Sequence, residues 1–261
     1  MSRTVNETDD SSAGTGTKKV VRIAAVADLH CKLSSPGRIR PLFSEVAENA
    51  DMLVLCGDLT DYGLPEEARI LMEEIKDVVE RIPTLSVLGN HDYESGKISE
   101  VCRIFSDSGI ILLDGNGYEL FGLGFTGVKG FAGGFGRLAL QAWGEEAIKA
   151  FVREAEEEAL KFEAGLTRLH HGKRVALLHY SPVRDTVVGE PPEIHAFLGS
   201  SRLEEPLSRY PVTVVFHGHA HGGFPEGQTR NEIPVYNVAL PVLKRHFPEQ
   251  PPVRVVEIST E

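Results

Sequence analysis

Five short apolar runs each stop at a side chain of metal-ligand type, and this recurrence constrains the chain more than any other feature. Val20 to Ala27 runs into Asp28-Leu29-His30, Met52 to Cys56 into Gly57-Asp58, and Thr84 to Leu88 into Gly89-Asn90-His91-Asp92. Lys173 to Leu178 runs into His179, and Val212 to Phe216 into His217-Gly218-His219-Ala220-His221. Each run is short and mostly apolar, and Val212 to Phe216 is β-branched as well, the pattern of a buried strand. Helical spacing separates several of them. Ile39, Leu42, Phe43, Val46 and Ala47 predict one helix, and a second is expected over Pro65 to Arg81, with the proline in its first turn. Others are expected over Ile98–Phe105, Gln141–Ala164 and Ser201–Ser208, and a short one over Glu193–Phe197. Strands alternating with helices imply a layered α/β core with parallel strand pairs. Short strands near Ile110–Leu113 and Tyr118–Leu123, and closing strands over Glu232–Val238 and Val253–Ile258, complete the reading.

The remaining stretches are read by composition. Residues 1–17 are polar and rich in Ser, Thr, Gly and Asp, which predicts a disordered leader ahead of a single domain over 18–261. Gly14 to Lys19 is no phosphate loop, because it precedes a strand instead of following one. Gly122–Gly136 holds seven glycines, so no regular strand or helix is expected there but a long loop, either a mobile one bordering the cleft or an ordinary surface loop. On the long helix, Ile148, Phe151, Val152, Ala155, Ala159 and Phe162 form the apolar stripe, and Glu154, Glu156, Glu157 and Glu158 read as a solvated face.

In a parallel-type sheet, adjacent strand ends lie side by side at the C-terminal edge, where open α/β folds bind ligands. Asp28 and His30 are two apart, as are His219 and His221, so on an extended chain each pair faces one way. His217 then faces the other way and reads as a hydrogen-bonded core histidine. Asp28, His30, Asp58, Asn90, His91, His179, His219 and His221 are eight candidate ligands, too many for one tetrahedral ion. Two ions ~3.5–4 Å apart need about that number if one carboxylate bridges them. Nitrogen and oxygen ligation without thiolate suits Mn, Fe, Zn, Co or Ni and suits Ca poorly. No Gly-x-Ser-x-Gly elbow or Cys/His pair offers a competing nucleophile. Asp61 is read as capping or bracing the turn after Asp58, Tyr180 as a residue within reach of substrate, and Arg184 as either a phosphate clamp or a surface ion-pair partner.

Taken in order, the five blocks resemble the calcineurin-like metallophosphoesterases, which also include purple acid phosphatases and cyclic-nucleotide phosphodiesterases. That family's series is Asp-x-His, Gly-Asp, Gly-Asn-His-Asp/Glu, a lone His and Gly-His-x-His, and it stands complete here between about residues 21 and 222. The resemblance implies a four-layer α/β/β/α sandwich of two mixed sheets flanked by helices. It implies that Asp28, His30 and His221 hold one metal, that Asn90, His179 and His219 hold another, and that Asp58 bridges both. His91 would contact the phosphate and protonate the leaving oxygen, with Asp92 orienting its ring. A bridging hydroxide would attack phosphorus in line.

The implied cofactors are two divalent transition-metal ions (Mn, Fe, Zn or Ni). The implied partner is a small phosphodiester or phosphomonoester, a class that includes nucleotides. A formal net charge of −11 argues against long nucleic acids and anionic membranes. Three cysteines without CxxC spacing, no signal-peptide core and no run near the ~20 apolar residues of a membrane span point to a cytoplasmic protein with reduced thiols. A phosphoesterase fold kept as a binding scaffold would be expected to lose His91 or several ligands, and none is missing.

Overall fold

The computed structural model describes residues 18–261; the leader expected over residues 1–17 lies outside them. In chain order the first half comprises β1 (Val20–Val26), α1 (Val46–Asn49), β2 (Met52–Cys56), α2 (Pro65–Val79), β3 (Thr84–Val87), α3 (Ile98–Asp107), β4 (Ile110–Leu112), β5 (Gly117–Leu120) and β6 (Leu123–Val128). The second comprises α4 (Glu146–Thr167), β7 (Arg174–Leu178), α5 (His195–Leu198), α6 (Glu204–Leu207), β8 (Val212–His217), β9 (Glu226–Gln228), β10 (Pro234–Asn237), α7 (Leu240–His246) and β11 (Arg254–Ser259). The first sheet has the order β11-β1-β2-β3-β4, and the second β5-β6-β7-β8-β10-β9. Strands β1 to β4 run parallel, as do β6, β7, β8 and β10, while β11, β5 and β9 pair antiparallel at the edges.

Period-two alternation assembles the layers. Val175 and Leu177 of β7 join Leu85 and Val87 in the core between the sheets. Their neighbours Ala176 and Leu178 face the other way, onto Phe162 and Leu166 of α4. Helix α2 covers the first sheet through Ala68, Leu71, Ile75 and Val78. All five residues of β2 are buried, as expected of a parallel strand covered on both faces. The result is the two-sheet sandwich between helical layers that the motif series implied.

Three local readings are corrected. The helix expected around Ile39–Ala47 is a single 3₁₀ turn, Arg40–Phe43, followed by the four residues of α1. Pro41 sits in that turn, and the Glu74 carboxylate of α2 takes the backbone N–H of Gly37, Ile39 and Arg40 at 2.8, 3.1 and 3.0 Å. Those amides are satisfied from outside, so continuous helix is not needed to pair them.

The glycine-rich segment begins inside a strand. Residues Leu123–Val128 form β6, which is wholly buried between β5 and β7. Gly127 is required there: a Cβ would lie 2.4 Å from the Leu177 carbonyl oxygen and 2.6 Å from Cγ1 of Val87 on the opposite sheet. The missing side chain lets the two sheets close on each other.

Glu158, read as solvated, is buried. It accepts the Gly130 N–H at 2.7 Å and pairs with Lys161 at 2.5 Å.

Candidate metal centre

The ends of β1, β2, β3, β7 and β8 meet at one edge of the sandwich. Backbone hydrogen bonds join the β1 loop to the β2 loop and the β8 loop to the β7 loop. Asp28 N–H donates to Gly57 O at 3.0 Å, His30 N–H to Asp58 O at 3.0 Å, and Gly218 N–H to His179 O at 3.1 Å. The two sheets are joined there as well, with Ala27 N–H on Val238 O and Leu240 N–H on Ala27 O, both at 2.9 Å.

The side chains do not converge by the extended alternation expected from their spacing. Asp28, His30, Asp58 and His219 take left-handed backbone, with φ of +59°, +42°, +49° and +68°. Only two other described non-glycine residues do so, so this strain is concentrated on the candidate ligands. The His219–His221 segment is a tight turn, with His221 N–H on His219 O at 3.1 Å. Neighbouring glycines make room. A Cβ on Gly89 would lie 2.1 Å from Oδ1 of Asp58, and one on Gly218 would lie 2.4 Å from Oδ2 of Asp28.

Three sets of nitrogen and oxygen atoms each lie within 4.8 Å of one another: Asp28, His30 and His221; Asp58, His179 and His219; and His30, Asp61 and His91. Asp58 stands between the first two. Its Oδ2 is 3.7 Å from His30 Nε2, while its Oδ1 is 3.3 Å from His179 Nε2 and accepts the His91 N–H at 2.9 Å. Asn90 Oδ1 is 3.0 Å from the same His179 nitrogen. Asp28 Oδ1 is 2.9 Å from His221 Nε2 and 4.0 Å from His30 Nε2.

One ring nitrogen each of His179, His219 and His30 faces a carbonyl or a carboxylate, which aims the other inward. His179 Nδ1 faces Cys56 O at 2.9 Å, and His219 Nε2 faces Phe197 O at 3.1 Å. A carbonyl only accepts, so these nitrogens carry the proton, and His179 Nε2 and His219 Nδ1 are left to bind. His30 Nδ1 is 3.3 Å from Oδ1 of Asp61, and its Nε2 is buried with no hydrogen-bond partner. A buried polar atom normally has a partner, and this one looks onto two carboxylates. His179 Nε2, Asn90 Oδ1 and Asp58 Oδ1 also need a proton or a cation among them. The donor set fits divalent transition metals.

The electrostatics agree. Burial alone would push the Asp58 pKa up, but the charge and hydrogen bond of His179 hold it well below the usual carboxylate range. Burial works against the charge on His179, yet Asp58 outweighs it and lifts that imidazole to about 9. His219 is held neutral, down to about 3, by burial and then by His179. His217 is fully buried and neutral, lowered to about 4 by burial. It bonds Gly218 O and Thr186 Oγ1, both at 2.8 Å, and is the core histidine its position suggested.

The expected pairing of Asp92 with the His91 ring is replaced by another. His91 Nδ1 donates to the backbone carbonyl of Asp61 at 2.7 Å. Asp92 is fully buried and turns inward, accepting from the N–H groups of Leu59, Thr60 and Gly89 and from Thr60 Oγ1. It ties the second and third ligand loops together. Burial, then the charge of Asp58, raises its pKa to about 6. Asp61, read from sequence only as a turn brace, thus touches both His30 and His91. Its spacing three residues after Asp58 was the available signal.

Tyr180 packs against His219, with ring centroids 4.3 Å apart. Arg184 instead lines a separate cavity of about 570 Å³ with Phe135, Arg137 and Arg230. No described helix is long and apolar enough to cross a membrane.

Residues 21–223 match the family model described as calcineurin-like phosphoesterase. No curated protein matches the sequence. Among solved structures, the fold is similar to phosphopantetheinyl hydrolase from Mycobacterium tuberculosis. The TM-score is 0.61 and the identity 16%, over 90% of this chain and 95% of that one. It is also similar to TT1561 of Thermus thermophilus, with a TM-score of 0.53 and 13% identity over 93% and 100% of the two chains. A third is GAP50, the anchor in the inner membrane complex of Plasmodium, with a TM-score of 0.55 and 11% identity over 87% and 73%.

Proposed function

The chain belongs to the calcineurin-like phosphoesterases, and from that premise we propose that it is a two-metal phosphohydrolase acting on a small phosphodiester or phosphomonoester. The observation that carries the reading is Asp58. Its two oxygens face two separate groups of candidate ligands, and the His30 nitrogen on one side is buried without a partner. Asp28, His30 and His221 would hold one ion, and Asn90, His179 and His219 the other, with Asp58 shared. Mn, Fe, Zn and Ni all suit this set. When bound, such ions lower the pKa of water and offset the charge on phosphoryl oxygens.

The chain's own groups do the rest. The Asp61 carbonyl takes the Nδ1–H of His91, which turns Nε2 outward, and Nε2 hands a proton to the leaving oxygen when the ring is in its doubly protonated, imidazolium form. The buried Asp92 holds the Asp58 and Asn90 loops in register through four accepted hydrogen bonds. The phosphopantetheinyl hydrolase and GAP50 are too distant in sequence to lend this chain a substrate or an anchoring role. The full set of motif residues favours catalysis over a scaffold.

The test is hydrolysis of a chromogenic phosphodiester and its matching monoester by metal-stripped protein given Mn, Ni, Zn, Fe or Mg in turn. Metal-dependent turnover is expected. Asp58→Asn should lose metal as well as rate. His91→Ala should keep its metal and slow by roughly 10²–10⁴-fold, the usual worth of a positioned acid. Normal metal content with normal turnover in Asp58→Asn would refute the bridging assignment. No turnover with any metal, despite two ions bound per chain, would return the protein to the scaffold class.

A further inference from the structure

A sixth strand end reaches the same edge of the sandwich, and it carries a lysine instead of a ligand. Strand β6 runs parallel to β7 and pairs Val128 with Leu178, so Lys129 leaves the sheet beside His179. The Lys129 carbonyl takes the N–H of His179 at 3.1 Å and of Tyr180 at 3.0 Å, which locks the lysine to the candidate metal centre. Its ammonium stands 5.9, 4.9 and 5.5 Å from the ring centroids of Tyr93, Phe131 and Tyr180. Tyr93 closes the 3₁₀ turn that begins at His91, and the Tyr180 ring leans on His219. Lys129 is therefore on the side of the site where His91 stands.

The ammonium is under-committed. One N–H donates to Gly130 O at 2.8 Å, and no carboxylate oxygen of the described residues lies within 4.0 Å of it. The buried acid nearby, Glu158, is already engaged by Lys161 and the Gly130 N–H. A lysine has three donors, so two are left. Aromatic faces hold the cation in place and screen it from water, which strengthens its attraction for an anion.

We propose that Lys129 is a specificity-determining residue that takes a second anionic group of the substrate, a phosphate or carboxylate carried on the leaving alcohol. The inference rests on the phosphohydrolase reading and deepens it. The preferred ester would carry one negative charge at the scissile phosphorus and another on its leaving arm. Lys129 contributes binding, and the chemical step stays with the groups around Asp58 and His91.

The experiment uses three methyl aryl phosphodiesters whose leaving phenol bears a carboxylate, a phosphonate or a neutral carboxamide. They are compared in the metal-loaded wild type, Lys129→Gln and Lys129→Arg, with thermal melts confirming that each variant is folded. The wild type is expected to favour the anionic esters over the carboxamide by about tenfold or more in kcat/KM, the worth of one charge-assisted hydrogen bond. Lys129→Gln should erase that preference through KM, leaving turnover of the carboxamide ester and metal content unchanged. Lys129→Arg should retain most of it. The carboxylate and phosphonate arms tell which anion is preferred. Turnover of the carboxamide with no preference in the wild type, or a preference that survives in Lys129→Gln, overturns the role of Lys129 and leaves the phosphohydrolase reading intact. No metal-dependent turnover of any of the three, nor of the chromogenic monoester, overturns both.

Discussion

At the scale of single residues, the site is built by backbone that ordinary side chains avoid. Asp28, His30, Asp58 and His219 each occupy left-handed φ, a conformation costing of order 1 kcal/mol or more per non-glycine residue. The surrounding hydrogen bonds hold it: the His219 N–H is clasped by both oxygens of Asp28, at 3.2 and 3.0 Å. Glycines complete the fit, and Gly89→Ala is the sharpest probe of it, because the added carbon would fall 2.1 Å from Oδ1 of Asp58. That variant should lose metal affinity at least tenfold, as displaced ligand geometry does, and melt several degrees lower. Metal titration and a thermal melt check both, and unchanged metal affinity would show that Asp58 can move without cost. The identities of the candidate ligands were legible in the sequence because imidazole and carboxylate chemistry belongs to the residue itself. The partner of His91 was not. Asp92 is adjacent in sequence but points into the core, and the ring is held by the Asp61 carbonyl on another loop.

At the scale of elements, strands were legible wherever side chains announced them. β2 reads directly from Met52 to Cys56, and α2 from Pro65 with its buried stripe, its first turn fixed by Glu67 accepting from Tyr62 and Leu64 N–H. β6 was hidden because its Gly127 answers to Leu177 on the adjacent strand and Val87 on the opposite sheet, contacts that no local pattern encodes. The junction of β1 and β2 depends on a charged clasp. The Asp51 carboxylate accepts the Arg22 backbone N–H at 2.8 Å, the Arg22 guanidinium at 3.0 Å and Lys18 at 2.8 Å. Burial tends to raise its pKa, but these donors outweigh it and hold the group well below the usual range. A carboxylate depressed on folding adds stability above its unfolded pKa, near 4, and loses it as pH falls through the folded value. Asp51→Asn should therefore cost about 1–2 kcal/mol at pH 7 and flatten the acid limb of stability between about pH 4 and 2. Denaturant titrations across that range measure it. An equal loss at every pH would mean that the charge of Asp51 adds nothing.

At the scale of the whole molecule, the two sheets are held at the candidate centre by polar contacts between loops that approach from opposite layers. Cations bound there would cross-link both sheets, so metal binding and folding should be coupled. A ligand at 100 times its dissociation constant adds about 2.7 kcal/mol per site, which for a domain of this size corresponds to roughly 5–10 °C in Tm. Melting the metal-stripped protein with and without Mn or Zn should show a rise of that order, reversed by a chelator and absent in Asp58→Asn. A Tm indifferent to metal would argue against a centre spanning the two sheets.

The sequence alone determined the strand–helix alternation, the five blocks of candidate ligands and their order, because burial preference and donor chemistry are properties of each residue and of its near neighbours. The tertiary structure decided which oxygen of Asp58 faces which histidine, that Asp61 and not Asp92 holds His91, and that Lys129 arrives at the same edge. Those relations depend on register between strands and on backbone handedness at the loop ends. Packing of one sheet against the other sets both, and it has no local signature in the chain.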